Sequence, residues 1–292
     1  MKKTLDYILF YCILIPLSLL PLWILYPISR LMYFVIYRLI GYRKEVVINN
    51  LRNSFPEKSQ KEINTISKEF YKHLADIFIE ALKMLTISKR NLLRRYRCVN
   101  PEILDKYYKN NQSVILVSAH YNNWEYMVAS LGLHFSHHGI GVGKRMSDKH
   151  FEKLMHKRRT RYSTEVCYAD NTKETFKKYI GSNTPCVYML LSDQSPNDKN
   201  KCFWTRFLNQ DTAVIFGAEH LAKKYNFPVF YYSVKKEKRG YYSFEIFPIT
   251  DKPQETEYGF ITQSHVSHLE QAIKQEPQYW LWSHKRWKLK RE

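Results

Sequence analysis

"VILVSAHYNNWEYMVAS", residues 114–130, changes character at its centre. Its first five residues, mostly β-branched or aliphatic, read as a strand buried on both faces. His120, two asparagines, Trp124 and Glu125 follow, and then an apolar helical pattern begins. In open α/β sheets the reactive crevice lies beyond the carboxyl ends of the strands. His120 falls two residues past such an end. Asn122 or Asn123 suits the N-cap of the next helix, which puts Glu125 in a first turn where the helix dipole favours a carboxylate. On one continuous helix, five residues would turn the two side chains about 140° apart. With His120 in the loop, Glu125 can instead reach back to one imidazole nitrogen and leave the other facing a substrate. That arrangement is a base oriented by a carboxylate, with no nucleophile of its own. A capping glutamate without any catalytic role has the same spacing, so the pair alone does not decide the chemistry.

Working outward, the texture repeats. Short apolar runs at 113–118, 139–143, 165–169, 185–192, 227–236 and 241–249 read as strands. Helical stretches at 124–133, 148–161, 171–180 and 212–225 lie between most of them. Strands alternating with helices imply a largely parallel sheet covered on both faces, and the last two strands, joined by "EKRG", read as an antiparallel hairpin. Upstream, Ser59 with Glu62 three residues later is a capping signal. Ile63, Ile66, Phe70, Leu74, Ile77, Phe78 and Leu82 follow at helical spacing and are assigned to core. The fold expected over residues 45–292 is α/β, a mostly parallel mixed sheet flanked by helices.

Residues 1–44 are different. No charge occurs between Asp6 and Arg30, a gap longer than the roughly 20 apolar residues that cross a bilayer. Pro16, Pro21 and Pro27 interrupt it, so a bent or re-entrant membrane helix is as consistent as a straight span. Lys2 and Lys3 precede it, and Arg30, Arg38, Arg43 and Lys44 follow. The heavier downstream charge places the main domain on the cytoplasmic side. The chain has 46 Lys and Arg against 27 Asp and Glu, a net +19, which favours anionic partners such as nucleic acid, lipid headgroups or an acidic protein. Its five cysteines are scattered without paired spacing, which reads as reduced thiols and no structural zinc.

No dinucleotide or phosphate-binding glycine motif, nucleophile elbow or H-E-x-x-H competes with the histidine element. His265 and His268 lie in a polar amphipathic pattern and read as a solvated face in preference to a metal site. "HYNNWE" resembles the His-x4-Asp/Glu motif of glycerolipid-type acyltransferases, in the form typical of the late (secondary) acyltransferases of lipid A biosynthesis, the lauroyl and myristoyl transferases. "NLRNSFPE" (50–57), "HKRRTR" (156–161), "LLSDQSP" (190–196) and "PQYWLWSHKRWK" (277–288) match that family's landmarks in order. One departure is Asn122, which stands where the family usually has glycine. Asn tolerates a left-handed backbone better than most other residues.

The resemblance implies a glycerolipid-acyltransferase-like fold with an N-terminal membrane-anchoring helix, at the bacterial inner membrane. It implies acyl transfer from acyl carrier protein to a hydroxyl of a lipid A precursor, without metal or nucleotide cofactor. His120 would be the general base, Glu125 would fix its tautomer, and Arg159 would stabilise the oxyanion, where a lost donor costs about 3 kcal/mol. Asp193 would organise basic side chains or the acceptor. Candidate substrate contacts are Asn123, Trp124, Lys157, Arg161 and Gln194, with Lys285 and Arg286 placed by charge near lipid phosphate. Read alone, "HKRRTR" is equally a solvated helix face, Asp193–Pro196 equally a turn, and Trp280, Trp282 and Trp287 equally packing. The same chemistry would serve a lysophospholipid, an amino-acid lipid or another glycolipid. A non-catalytic membrane-surface protein that recruits anions is the other class, and nucleic acid is disfavoured by the lack of any recognisable module.

Overall fold

A computed structural model describes residues 6–143, 145, 148–168, 171–200 and 202–291. The strands are β1 (Tyr96–Cys98), β2 (Val114–Ser118), β3 (His138–Gly143), β4 (Thr164–Tyr168), β5 (Cys186–Leu191), β6 (Cys202–Phe207), β7 (Gln210–Ile215), β8 (Val229–Lys238) and β9 (Tyr241–Thr250). Seven of them form one sheet in the order β1-β9-β8-β2-β5-β3-β4. β2, β3, β4, β5 and β8 run parallel, and β9 returns antiparallel to β8. The α/β architecture and mostly parallel sheet expected from the sequence are therefore present. Residue 169, the last of one expected strand, lies outside the described residues, as do Lys2 and Lys3.

Alternate side chains of β2 point into different cores. Val114 and Leu116 join Met189, Phe230 and Tyr232 on one face, while Ile115 and Val117 join Tyr188, Phe176 and Val229 on the other. Burial of both faces explains the unbroken apolar run. The helices are α1 (Ile15–Leu19), α2 (Leu22–Phe34), α3 (Lys44–Ser54), α4 (Gln60–Met84), α5 (Lys89–Arg95), α6 (Asp105–Lys109), α7 (Trp124–His134), α8 (Lys149–Arg159), α9 (Thr172–Gly181), α10 (Gly217–Tyr225) and α11 (Phe260–Gln275). α4 begins with the expected capping box between Ser59 and Glu62. Of its expected core positions Phe78 departs, being 49% exposed.

Two further readings are corrected. Residues 212–215 belong to β7, not to a helix, and the following helix starts only at Gly217. β6 and β7 pair antiparallel across Leu208 and Asn209, both at positive φ, the backbone that a two-residue hairpin turn demands. His265 is not on a solvated face: α11 turns it against the Tyr231 ring, and it is buried. At the apolar start of the chain, where the sequence left a straight span and a bent or re-entrant helix equally open, the backbone is bent. Among the described residues no single helix there is long and apolar enough to cross a membrane; helices over Asp6–Leu19 and Leu22–Leu39 meet at a 120° bend. Pro21 disfavours a helical backbone at Leu20, whose ψ is 144°. The carbonyls freed at the bend find donors on α4 and just past it: Lys83 Nζ donates to Ser18, Leu19 and Leu20, and Thr86 Oγ1 to Ser18.

Candidate active site

β2 and β5 are neighbours at the centre of the sheet, with Ser118 opposite Leu191. The Ser192 amide donates to the Ser118 carbonyl at 3.0 Å, carrying the register past the strand ends. Two residues beyond each end therefore arrive side by side, and those residues are His120 and Asp193. Nδ1 of His120 lies 2.8 Å from Oδ1 of Asp193. The second carboxylate oxygen accepts the indole N–H of Trp280 at 2.9 Å. Nε2 of His120 faces outward, where the Gln194 side-chain amide approaches at 3.3 Å. These partners suit one tautomer: Nδ1–H donates to Asp193, and the Nε2 lone pair accepts from Gln194. The edge of Trp124 packs on the imidazole at a centroid distance of 5.3 Å.

The electrostatics follow from this contact. Burial works against an imidazolium at His120, but the Asp193 charge and hydrogen bond reverse that, and the pKa is raised. Burial likewise opposes ionisation of Asp193, yet His120 and Trp280 together hold its carboxyl at about 2. The pair is thus an ionised carboxylate fixing a base whose protonated form it stabilises.

Glu125 takes a different place from the one expected. It does not orient His120; both its oxygens are held by Arg159, from Nε at 3.1 Å and Nη2 at 2.9 Å. The reason is topological. Glu125 starts α7 and Arg159 ends α8, so the two meet across the crevice, whereas Asp193 already fills the position beside Nδ1. The side chains of Glu125 and Arg159 remain 16% and 24% exposed, open enough for a ligand to reach.

A family model described as bacterial lipid A biosynthesis acyltransferase matches residues 2–289, nearly the whole chain. The chain belongs to this family. A comparison with curated proteins gave no match. The family's members are acyltransferases, so the crevice lined by His120, Asp193, Glu125 and Arg159 is the acyltransferase's candidate active site.

The remaining expected contacts of this acyltransferase divide into three groups. Gln194 and Trp124 touch His120, as described. Lys157 and Lys285 are exposed. Asn123, Arg161 and Arg286 are engaged within the protein. Asn123 is fully buried and caps α7, accepting the Tyr126 amide at 2.9 Å. Arg161 donates to the carbonyls of Met84, Leu85 and Ile87 at the end of α4. Arg286 is buried and donates to the Ala213 carbonyl at 2.7 Å, with its pKa pushed down to about 10 by burial. Asn122 sits at φ 55° and donates through its side chain to the Val234 carbonyl, so the left-handed loop position is real and the amide fixes it. Among the described residues no group of three or more His, Cys, Asp or Glu converges as a metal would require.

Two participants were not singled out from the sequence for this site. Trp280 holds Asp193, and the backbone before it meets the loop that carries His120: Tyr121 pairs with Trp280, and the Asn122 amide donates to Tyr279. His284 accepts the Ser195 amide at 3.1 Å, fixing the turn that carries Asp193 and Gln194. The signal was the density of Trp and His in "PQYWLWSHKRWK", which shows that the segment packs tightly but not upon what.

Proposed function

We propose that this acyltransferase moves a fatty acyl chain from an acyl-thioester of acyl carrier protein to a hydroxyl of a lipid A precursor, with His120 as general base and no covalent acyl-enzyme. The observation that carries the reading is the His120–Asp193 pair, whose outward Nε2 meets neither a hydroxyl nor a thiol among the described residues. The nucleophile is then the acceptor's own hydroxyl, which displaces the Gln194 contact. Its proton passes to Nε2 as the oxygen attacks the thioester carbonyl, Asp193 stabilises the imidazolium, and collapse of the tetrahedral intermediate expels the carrier thiolate, which takes the proton back. Glu125 orients the Arg159 guanidinium, whose Nη1 is left to donate to the oxyanion.

Residues 1–44 act as the membrane anchor and 45–292 as the catalytic domain, on the cytoplasmic face of the bacterial inner membrane. The bent N-terminal hairpin supports insertion from one side: Ile13, Leu19, Trp23, Leu31, Leu39 and Ile40 are all more than half exposed. Arg43, Lys44 and Arg52 line a groove just beyond it, suited to anionic headgroups. The same positive surface, from a net charge of +19, steers an acidic carrier protein to the site. The test is to supply the membrane-embedded protein with acyl carrier protein bearing a fatty acyl chain and with defined acceptors, and to read products by mass spectrometry. A lipid A precursor heavier by one ester-linked chain is the expected result. Acylation of a lysophospholipid or amino-acid lipid alone would overturn the acceptor, and no ester on any of them would overturn the reaction.

A further inference from the structure

Two carboxylates one turn apart on α4, Asp76 and Glu80, are buried away from the His120–Asp193 pair. α2, part of the apolar N-terminal hairpin, meets them with two polar side chains of its own, Tyr26 and Ser29. Oε1 of Glu80 accepts the Tyr26 hydroxyl at 3.0 Å. Oε2 accepts Asn123 Nδ2 at 2.6 Å and the Tyr242 hydroxyl at 2.8 Å. Oδ1 of Asp76 accepts the Ser29 hydroxyl at 2.5 Å, and Arg239, in the β8–β9 turn, grips both Asp76 oxygens.

A segment that only dissolved in lipid would need no such groups. α2 turns Trp23 and Leu31 outward while Ser29 is fully buried and Tyr26 half-buried. A buried carboxylate is costly unless its lone pairs are met, so Glu80 requires donors from both sides. On one side stands the hairpin, and on the other stands Asn123. That asparagine caps α7 through Oδ1, and its Nδ2 has Glu80 as acceptor. It lies between Asn122, with its left-handed backbone, and Trp124, which packs on His120.

We infer that Glu80 is a positioning residue of the acyl-transfer site, joining the N-terminal hairpin to the loop that carries His120, so that the docked hairpin is part of the catalytic apparatus as well as an attachment. Tyr26 fixes the carboxylate, the carboxylate fixes the Asn123 amide, and the amide sets the start of the helix bearing Trp124 and Glu125. The Asp76–Ser29–Arg239 clasp holds α2 one turn further along and keeps Tyr26 in register.

The test uses the full chain in lipid nanodiscs. Glu80→Gln keeps the side-chain volume but turns one acceptor oxygen into a donor, and Tyr26→Phe removes only the hairpin's hydroxyl. Glu80→Gln is expected to lower kcat by about 10- to 100-fold with KM for the acyl donor within about twofold, as for groups that orient a reacting residue. Adding Asn123→Asp to Glu80→Gln reverses donor and acceptor, since the introduced carboxylate caps α7 and accepts from the introduced amide, and should restore most of kcat. Backbone amides over 121–128 should exchange with deuterium roughly fivefold faster in Tyr26→Phe, the loss of about one hydrogen bond. The kinetic arm rests on the acyl-transfer reading, whereas the exchange arm does not, so a chain without acyl transfer still reports the coupling. Wild-type kcat in a folded Glu80→Gln variant, or unchanged exchange over 121–128 in Tyr26→Phe, would overturn it. If Glu80→Gln fails to fold, the Tyr26→Phe exchange decides alone.

Discussion

At Asp193 the substitution to Asn removes the charge that raises the His120 pKa and leaves the burial that lowers it. The general base works in its neutral form, so wild-type activity is lost as pH falls through a raised pKa. In Asp193→Asn the acid limb of kcat/KM should therefore move to lower pH, and kcat should fall by about 10² to 10⁴ because the imidazolium and the tautomer lose their support. A pH–rate profile of the two proteins checks this, and an acid limb that stays in place or moves up would contradict it. The choice between Glu125 and Asp193 as His120's partner was not legible from spacing along the chain. It depends on β2 and β5 being neighbours in register, a contact across 73 residues of sequence. What could be read was that His120 and Asp193 each follow a buried strand, which places both at one edge of the sheet.

Among the elements, α7 lies so close to the sheet that neither its Gly132 nor the facing Gly139 of β3 has room for a side chain. A Cβ on Gly132 would stand 2.3 Å from the Ser163 carbonyl oxygen, and one on Gly139 in β3 would stand 2.8 Å from the Gly132 amide nitrogen. Gly132→Ala should cost about 1–3 kcal/mol by overpacking and lower acyl transfer with it, because the helix it displaces carries Glu125. Ser59→Ala should cost about 1 kcal/mol through loss of the α4 cap. Denaturant unfolding of each variant measures both, and wild-type midpoints would refute the packing and capping arguments. Capping boxes and apolar periodicity are local, which is why α4, α7 and the main strands could be read from the chain. The β6–β7 hairpin was missed because its signal is two positive-φ residues, Leu208 and Asn209, and leucine does not advertise that backbone. The bend at Leu20–Pro21 was only half visible, since proline marks a break without giving its angle.

For the whole molecule, burial gives stability a definite pH dependence. His134, His265 and His284 are pushed down to about 4 by burial. Between pH 4 and 6.5 the unfolded chain binds protons at these positions that the native protein refuses, so stability falls as pH is lowered through that window. Glu80, raised to about 7 by burial, acts in the opposite sense between its ordinary value and 7, whereas His120, whose pKa is raised, does so only above its ordinary 6.5. Within that window Glu80 stands against the three histidines, and His73 and His137, both lowered by burial, add to the net loss on acidification. Thermal melting of the detergent-solubilised protein should show Tm falling from pH 6.5 to 4.5; a flat or rising Tm would contradict this balance.

The general-base role proposed for His120 is tested most directly by the single-turnover rate of ester formation by wild type and His120→Ala in matched nanodiscs, with acyl-loaded acyl carrier protein as donor. His120 is one side chain on the rim of an intact sheet, so folding and lipid association should be unchanged while the rate falls by about a thousandfold or more. A rate within about tenfold of wild type would mean that another group takes the acceptor's proton.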